Sequence, residues 1–277
     1  MTEAEAEAEA GAPGPVRPPN LLTETYRVRF DECGADGLVR ASALLRYALD
    51  MAWRHSDKLG FTRAWYAERN CAWVVRAGEL VIEAPIPSGV SLLVTTRVSG
   101  FRRVWSRRYT TATFEDGTPA FWSHTDFVMI DVARGLPGRV PPELPVVFGV
   151  PPDPFEPGRV QLPQAPDEAV EVRSVVRPRD LDPNGHVNNA TYVDYLEEAV
   201  LVAGDAGAAA LATVPRRITV EYLVAAEPGD ALVSQAWRLE DDTDERAPGT
   251  AGAAGWAWHL ADGAGRDLAR GRVVPEA

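Results

Sequence analysis

The sequence predicts an α+β fold built twice, each half a long helix wrapped by an antiparallel sheet, and three observations lead there. First, the two sides of a proline-rich stretch match at an offset of 148 residues: Gly37, Val39, Leu45, Tyr47 and Asp50 face Gly185, Val187, Val193, Tyr195 and Glu198. Second, each side carries one apolar stripe at helical spacing, Leu44, Leu45, Ala48, Met51 and Ala52 in the first copy and Tyr192, Val193, Leu196, Ala199 and Val200 in the second. Third, each stripe is followed by runs alternating with period two, Val90, Leu92, Val94 and Val98 and then Ile218, Val220 and Tyr222, as half-buried strands require.

In chain order, residues 1–20 repeat Glu and Ala and then turn proline-rich, a composition unable to bury enough apolar surface to offset chain entropy, and they read as a disordered tail. The first half spans 21–145. Its strands are punctuated by turn signals at Pro87-Ser88-Gly89 and Glu115-Asp116-Gly117. Prolines 145, 151, 152, 154, 157, 163 and 166 place a linker at 146–168. The second half spans 169–277, with turns at Glu227-Pro228-Gly229-Asp230 and Asp262-Gly263. One helix covers only one face of such a sheet, so the halves are expected to pack sheet to sheet or edge to edge.

Composition narrows the function. A net charge of −12 over 277 residues argues against nucleic acid or an anionic membrane as the main partner. Cys33 and Cys71 are the only cysteines and have no paired spacing or Cys/His cluster, so neither a disulfide framework nor a metal site is indicated. No apolar run approaches the ~20 residues of a membrane span, and Met1 is followed by acidic Glu/Ala alternation instead of a signal peptide. The expected location is the cytoplasm.

The tandem strand, glycine turn, helix and meander look like a double hotdog, and here the sequence resembles the plant-type acyl-acyl carrier protein thioesterases and their bacterial relatives. The resemblance runs from about residue 25 to 275. It rests on Trp73-Val74-Val75-Arg76, the Pro85 to Gly89 turn, Arg97-Val98-Ser99-Gly100 and Phe127 to Asp131 in the first half. In the second it rests on Asp182-x-Asn184-x-His186-Val187-Asn188-Asn189-x-x-Tyr192 and Val220-Glu221-Tyr222. It implies hydrolysis of an acyl thioester held on the phosphopantetheine arm of an acyl carrier protein, with no cofactor. Coenzyme A is the lesser alternative. The duplication supplies a two-hotdog unit within one chain, and such units can pair further as homodimers.

His186, beside a glycine turn, can take or give a proton near neutrality and is the natural general base; an isolated histidine there would more readily cap or fill a helix entrance, and Asp182, Asn184 and the duplicated helix around it favour function. The first copy has Leu38 in its place, Asp36 for Asn184 and Gly34 for Asp182. The second half is therefore read as catalytic and the first as the wall of the acyl cavity. His186 and Asn184 would bind and activate water, as the resemblance implies. Asp182 would orient them or serve as a turn aspartate bonding local amides. A helix starting near Val187 or Asn188 would offer free N–H groups to the developing oxyanion. Asn188 and Asn189 read as helix caps, and Gly185 would let the chain approach the thioester.

Arg102, Arg103, Arg107 and Arg108 form the densest positive cluster and are a candidate dock for the acidic carrier, the alternative being a solvated strand face. Trp53, Trp65, Trp73, Trp105 and Trp122 read as core, some of them lining the acyl tunnel. His55, His124 and His259 read as packing or surface residues, and neither cysteine as a nucleophile. One departure stands out: where plant members of the resembled family carry a Glu-Cys pair, this chain has Ala225 and Ala226. Two rival readings follow, a hotdog dehydratase, cyclase or acyl transferase acting on a carbon acid, and a non-catalytic acyl-binding protein.

Overall fold

The computed structural model describes residues 20–150, 155–239 and 255–276. The tail expected at 1–20 lies outside them except for Asn20, whose side-chain amide exchanges hydrogen bonds of 2.9 and 3.0 Å with the backbone of Val98. The first half contains β1 (Leu22–Arg27), α1 (Ala41–Lys58), α2 (Arg63–Glu68), β2 (Cys71–Ile82), β3 (Ser91–Arg102), β4 (Trp105–Thr113), β5 (Pro119–Asp131), the short β6 (Leu136–Pro137) and α3 (Glu143–Phe148). The second contains β7 (Val170–Val175), α4 (Thr191–Val202), α5 (Asp205–Ala212), β8 (Arg216–Tyr222), β9 (Ala231–Arg238), β10 (Trp256–Asp262) and β11 (Asp267–Pro275).

All these strands join one antiparallel sheet in the order β1-β3-β4-β5-β2-β8-β11-β10-β9-β7, with β6 beside β5. The halves meet edge to edge through β2 and β8, where Gly78 pairs with Val220 and Leu80 with Ile218. Joining there turns two open edges into a ladder and makes the sheet continuous, which removes one exposed edge from each half and leaves β1 and β7 at the ends. The sheet wraps the two long helices. The expected stripe of α1 is buried, Leu44 and Met51 completely, as is that of α4, with Val193, Leu196, Ala199 and Val200 fully inside. In β3, Leu92, Val94 and Val98 face inward while Leu93 and Arg97 face out, which is the two-residue alternation expected of a strand with one buried face. Against α4 the largest buried side chain is Trp258, whose indole N–H donates to Ser234 Oγ at 2.6 Å.

The segment after residue 155 is extended and clamped to the outside of the sheet. Arg102 donates to the carbonyl of Phe155 (2.8 Å), Gly158 N–H donates to Asp126 (2.7 Å) and Val160 N–H to Glu221 (3.0 Å). Glu221 is buried and also pairs with Arg76 at 3.2 Å, so it ties the linker to β2. The linker is thus a strap across the junction of the halves.

Candidate active site

The turn before α4 repeats the turn before α1 bond for bond. Gly34 N–H donates to Leu38 O and Asp182 N–H to His186 O, both at 2.8 Å; Gly37 donates to Gly34 and Gly185 to Asp182, both at 3.0 Å. Gly37 and Gly185 sit at φ 78° and 81°, a region that a side chain would strain. Upstream, Glu32 accepts from the Arg29 amide and the Tyr47 hydroxyl, and Asp180 accepts from the Arg177 amide (2.8 Å) and the Tyr195 hydroxyl (3.0 Å). The backbone of this turn therefore belongs to the fold and forms without the polar set. What distinguishes the second copy is its side chains.

Asp182 replaces Gly34 and holds Asn184 twice, accepting from its backbone N–H at 2.8 Å and from its side-chain Nδ2 at 3.3 Å. A carboxylate accepts only, so the amide must turn its NH₂ toward Asp182 and its Oδ1 outward. In the first copy Asp36 instead caps the Leu38 amide at 3.0 Å. With Asn184 turned away, the equivalent His186 amide has no such acceptor among the described residues.

The helix itself starts later than expected. α4 begins at Thr191, and the Val187 and Asn188 amides proposed for the oxyanion are already used, donating to Ala226 O (3.3 Å) and Asp180 O (2.8 Å). The bridge of Val187 to Leu181 keeps this stretch extended, so the expectation for these two amides is corrected. Asn188 does serve the helix entrance, its Oδ1 accepting from Ala190 N–H at 2.9 Å.

His186 and Asn184 are exposed at the mouth of a cavity of about 630 Å3 whose remaining lining comes from the first half. Leu49, Ala52, Trp53 and Ser56 contribute one face of α1, and Val98, Phe101, Leu144 and Phe148 close the far wall. The asymmetry has a visible cause. Leu49 corresponds to Glu197, which in the second copy pairs with Arg216 at 4.0 Å and lies within electrostatic reach of Asp36 and Arg40. An ion pair fills, beside the first-copy turn, the place that an apolar wall leaves open beside His186.

The arginine cluster is a second correction, because the strand pleat and the linker take it apart. Arg107 forks onto Asp126 at 2.6 and 2.8 Å and stacks over Phe155, and Arg102 pairs with Glu156 at 2.6 Å. Arg108, one residue on, points inward and lines the cavity; Arg103 sits in the β3–β4 turn at φ 51°. Strand parity carried the signal for Arg108, since it shares a face with Ser106, Thr110 and Ala112, all buried. Trp53 and Trp73 line the cavity, and Cys71 also borders it, its thiol pushed up by burial and so poorly suited to attack. Ala226, where the resembled family has cysteine, is fully buried and receives Val187 while donating to the Tyr192 hydroxyl at 2.9 Å; Ala225 is exposed. Among the described residues no group of three or more His, Cys, Asp and Glu is placed to hold a metal.

In sequence, residues 19–147 match the acyl-ACP thioesterase N-terminal domain, and residues 176–247 match the thioesterase-like superfamily. The first half thus carries an acyl-ACP thioesterase N-terminal domain, and the second a thioesterase-like one. The chain's tandem hotdog is shared along nearly the whole length of solved relatives. A protein assigned as an oleoyl thioesterase from Lactobacillus plantarum superposes with TM-score 0.78 at 20% identity, covering 91% of this chain and 94% of that one. An acyl-ACP thioesterase from Bacteroides thetaiotaomicron gives 0.72 at 18%, covering 92% and 97%. The 12:0-ACP thioesterase from Umbellularia californica gives 0.71 at 19%, covering 91% and 96%. No curated protein matches the chain in sequence. At these identities the superpositions establish the fold, and the chemistry is argued from this chain's own residues. Among those described, no helix is long and apolar enough to cross a membrane.

Proposed function

We propose that the protein hydrolyses the thioester of an acyl chain on acyl carrier protein, releasing the free acid, with His186, Asn184 and Asp182 as its polar machinery. The observation that carries this reading is the meeting of halves at one cavity: an otherwise first-half, largely apolar chamber has only Asn184 and His186 of the second half at its mouth. The acyl chain lies in the chamber and the thioester stands at the mouth. Water held by the outward Oδ1 of Asn184 gives its proton to the His186 imidazole as its oxygen attacks the carbonyl carbon. The carbonyl oxygen gains charge, and the backbone N–H of His186, which has no acceptor among the described residues, donates to it in the role expected of Val187 and Asn188. Collapse of the tetrahedral intermediate breaks the carbon–sulfur bond, and the proton on His186 leaves with the thiolate. Asp182 acts through Asn184, fixing the amide orientation. Hydrolysis of this kind requires no cofactor, and a cytoplasmic setting suits a carrier-bound substrate.

The test is thiol release from a panel of acyl carrier protein thioesters. His186→Ala should abolish turnover with the melting temperature unchanged, because His186 is exposed and its turn is set by backbone bonds. Wild-type rates in that variant would sink the assignment, and a product with an altered carbon skeleton would favour dehydratase or cyclase chemistry instead.

A further inference from the structure

Arg108 is the charged side chain least suited to a chamber for plain hydrocarbon. It is only 6% exposed and lines the cavity, yet among the described residues no carboxylate pairs with it. Nη1 lies 3.1 Å from His55 Nδ1 and Nη2 donates to Ser56 Oγ at 2.8 Å, with the Phe148 ring 5.4 Å from the guanidinium carbon. A guanidinium carries five N–H donors, so among the described residues its acceptors are fewer than its donors. Burial pulls its pKa down to about 10, still well above neutrality, and the cation persists. Around it the cavity wall includes the Ser56, Tyr66 and Ser106 hydroxyl groups, Tyr66 accepting from Trp73 Nε1 at 3.1 Å. His186 and Asn184 are exposed at the mouth, whereas Arg108 belongs to the buried wall beside Phe61, Phe101 and Phe148.

An alkyl chain filling this chamber would strip water from the cation and offer nothing in return, a costly exchange for a buried charge. An acceptor oxygen on the chain would engage the guanidinium donors that have no acceptor among the described residues. We propose that Arg108, with Ser56 and Ser106, forms an oxygen-recognising subsite in the acyl cavity, and that the favoured acyl chain carries a carboxylate, hydroxyl or keto oxygen away from its thioester end. This rests on the cavity being the acyl site.

The test compares acyl carrier protein thioesters of equal chain length bearing an unsubstituted, a hydroxyl, a keto or a carboxylate terminus, in the full-length protein. In parallel, calorimetry measures binding of the corresponding free acids, so that the subsite is read even if no thioester is hydrolysed. At least one oxygenated chain should exceed its unsubstituted partner by ~10-fold or more in kcat/KM and in affinity, within the range expected when a buried polar group loses its partner. The preferred arm identifies the oxygen. Arg108→Met should erase the preference, and Arg108→Lys should retain part of it; should the Met variant not fold, the wild-type comparison decides alone. Equal or better binding and turnover of the unsubstituted chains would overturn the proposal. Loss of turnover on every substrate, with the binding preference intact, would instead count against the hydrolase reading and leave the subsite standing.

Discussion

Arg46 and Asp194 form an ion pair of 3.1 Å between α1 and α4, and they are the same position in the two copies, 148 residues apart. Equivalent residues touch only where the operation relating the copies brings each position onto its partner. The pair therefore marks the pseudo-twofold axis, and it runs between the two helices.

Because the two sites are equivalent, exchanging their charges should be tolerated. Asp194→Arg alone sets like charges together and should lower stability by about 0.5–1 kcal/mol, the pair being partly exposed. The double variant Arg46→Asp, Asp194→Arg should recover most of that loss in a denaturant titration, and no recovery would mean that the environments of the two sites differ.

Asp182 is expected to matter for rate and little for folding. The first copy builds the same turn with Gly34, so Asp182→Ala should leave the unfolding free energy within about 1 kcal/mol of wild type while Asn184 loses its orientation. Activity should drop by ~10- to 10²-fold, chiefly in kcat. A variant that unfolds would show that the carboxylate supports the turn after all.

Glu197 should give the stability a pH dependence. Burial pushes its pKa up to about 7 against an ordinary 4.5, with Arg216 opposing and Asp194 adding to the rise. A carboxyl group raised in the folded state takes up protons on folding between those values, so its contribution to stability improves as pH falls from about 7 toward 4.5 and is unfavourable above 7. The melting temperature of wild type relative to Glu197→Gln should therefore rise as pH is lowered from 8 to 5. A difference independent of pH would refute the assignment.

Gly271 in β11 is where α4 presses on the sheet. A methyl group there would lie 2.7 Å from Leu196 Cδ1, 2.9 Å from the Thr219 carbonyl oxygen and 3.0 Å from the Trp258 ring. The carbonyl belongs to a neighbouring strand and has little room to move, so Gly271→Ala should cost about 1–3 kcal/mol. An unchanged melting temperature would show that the helix is free to lift.

Adding a carboxylate at the exposed Ala225 tests the departure from the resembled family. Ala225→Glu should fold normally and raise kcat by up to ~10²-fold if the added group reaches the bound water. Ala226 offers no such freedom, because it is fully buried and held by Val187 and Tyr192 on both sides of its peptide.

Much of this was legible in the chain. Helical and two-residue periodicities located α1, α4 and the strands because each element buries one face, and the burial interval is written into the residue order. The offset of 148 exposed the duplication, and the difference between His186 and Leu38 marked which half differs chemically. Helix α4 starts later than its residue pattern suggests, because the Val187 and Asn188 amides are taken by the carbonyls of Ala226 and Asp180, which lie outside that local pattern. The arginine cluster was misread because sequence adjacency hides strand parity: Arg107 and Arg108 are neighbours in the chain and face opposite sides of the sheet.

By itself the sequence determined the repeated α+β elements, the turn from Asp182 to His186 and its resemblance to a thioesterase family. These are local quantities, fixed by spacing and residue type. Only the tertiary structure decided that the halves join through β2 and β8, that the cavity opens beside one turn and is filled by Glu197 and Arg216 beside the other, and that Arg108 lines that cavity. Those outcomes depend on which distant surfaces exclude water together, and no local pattern records that.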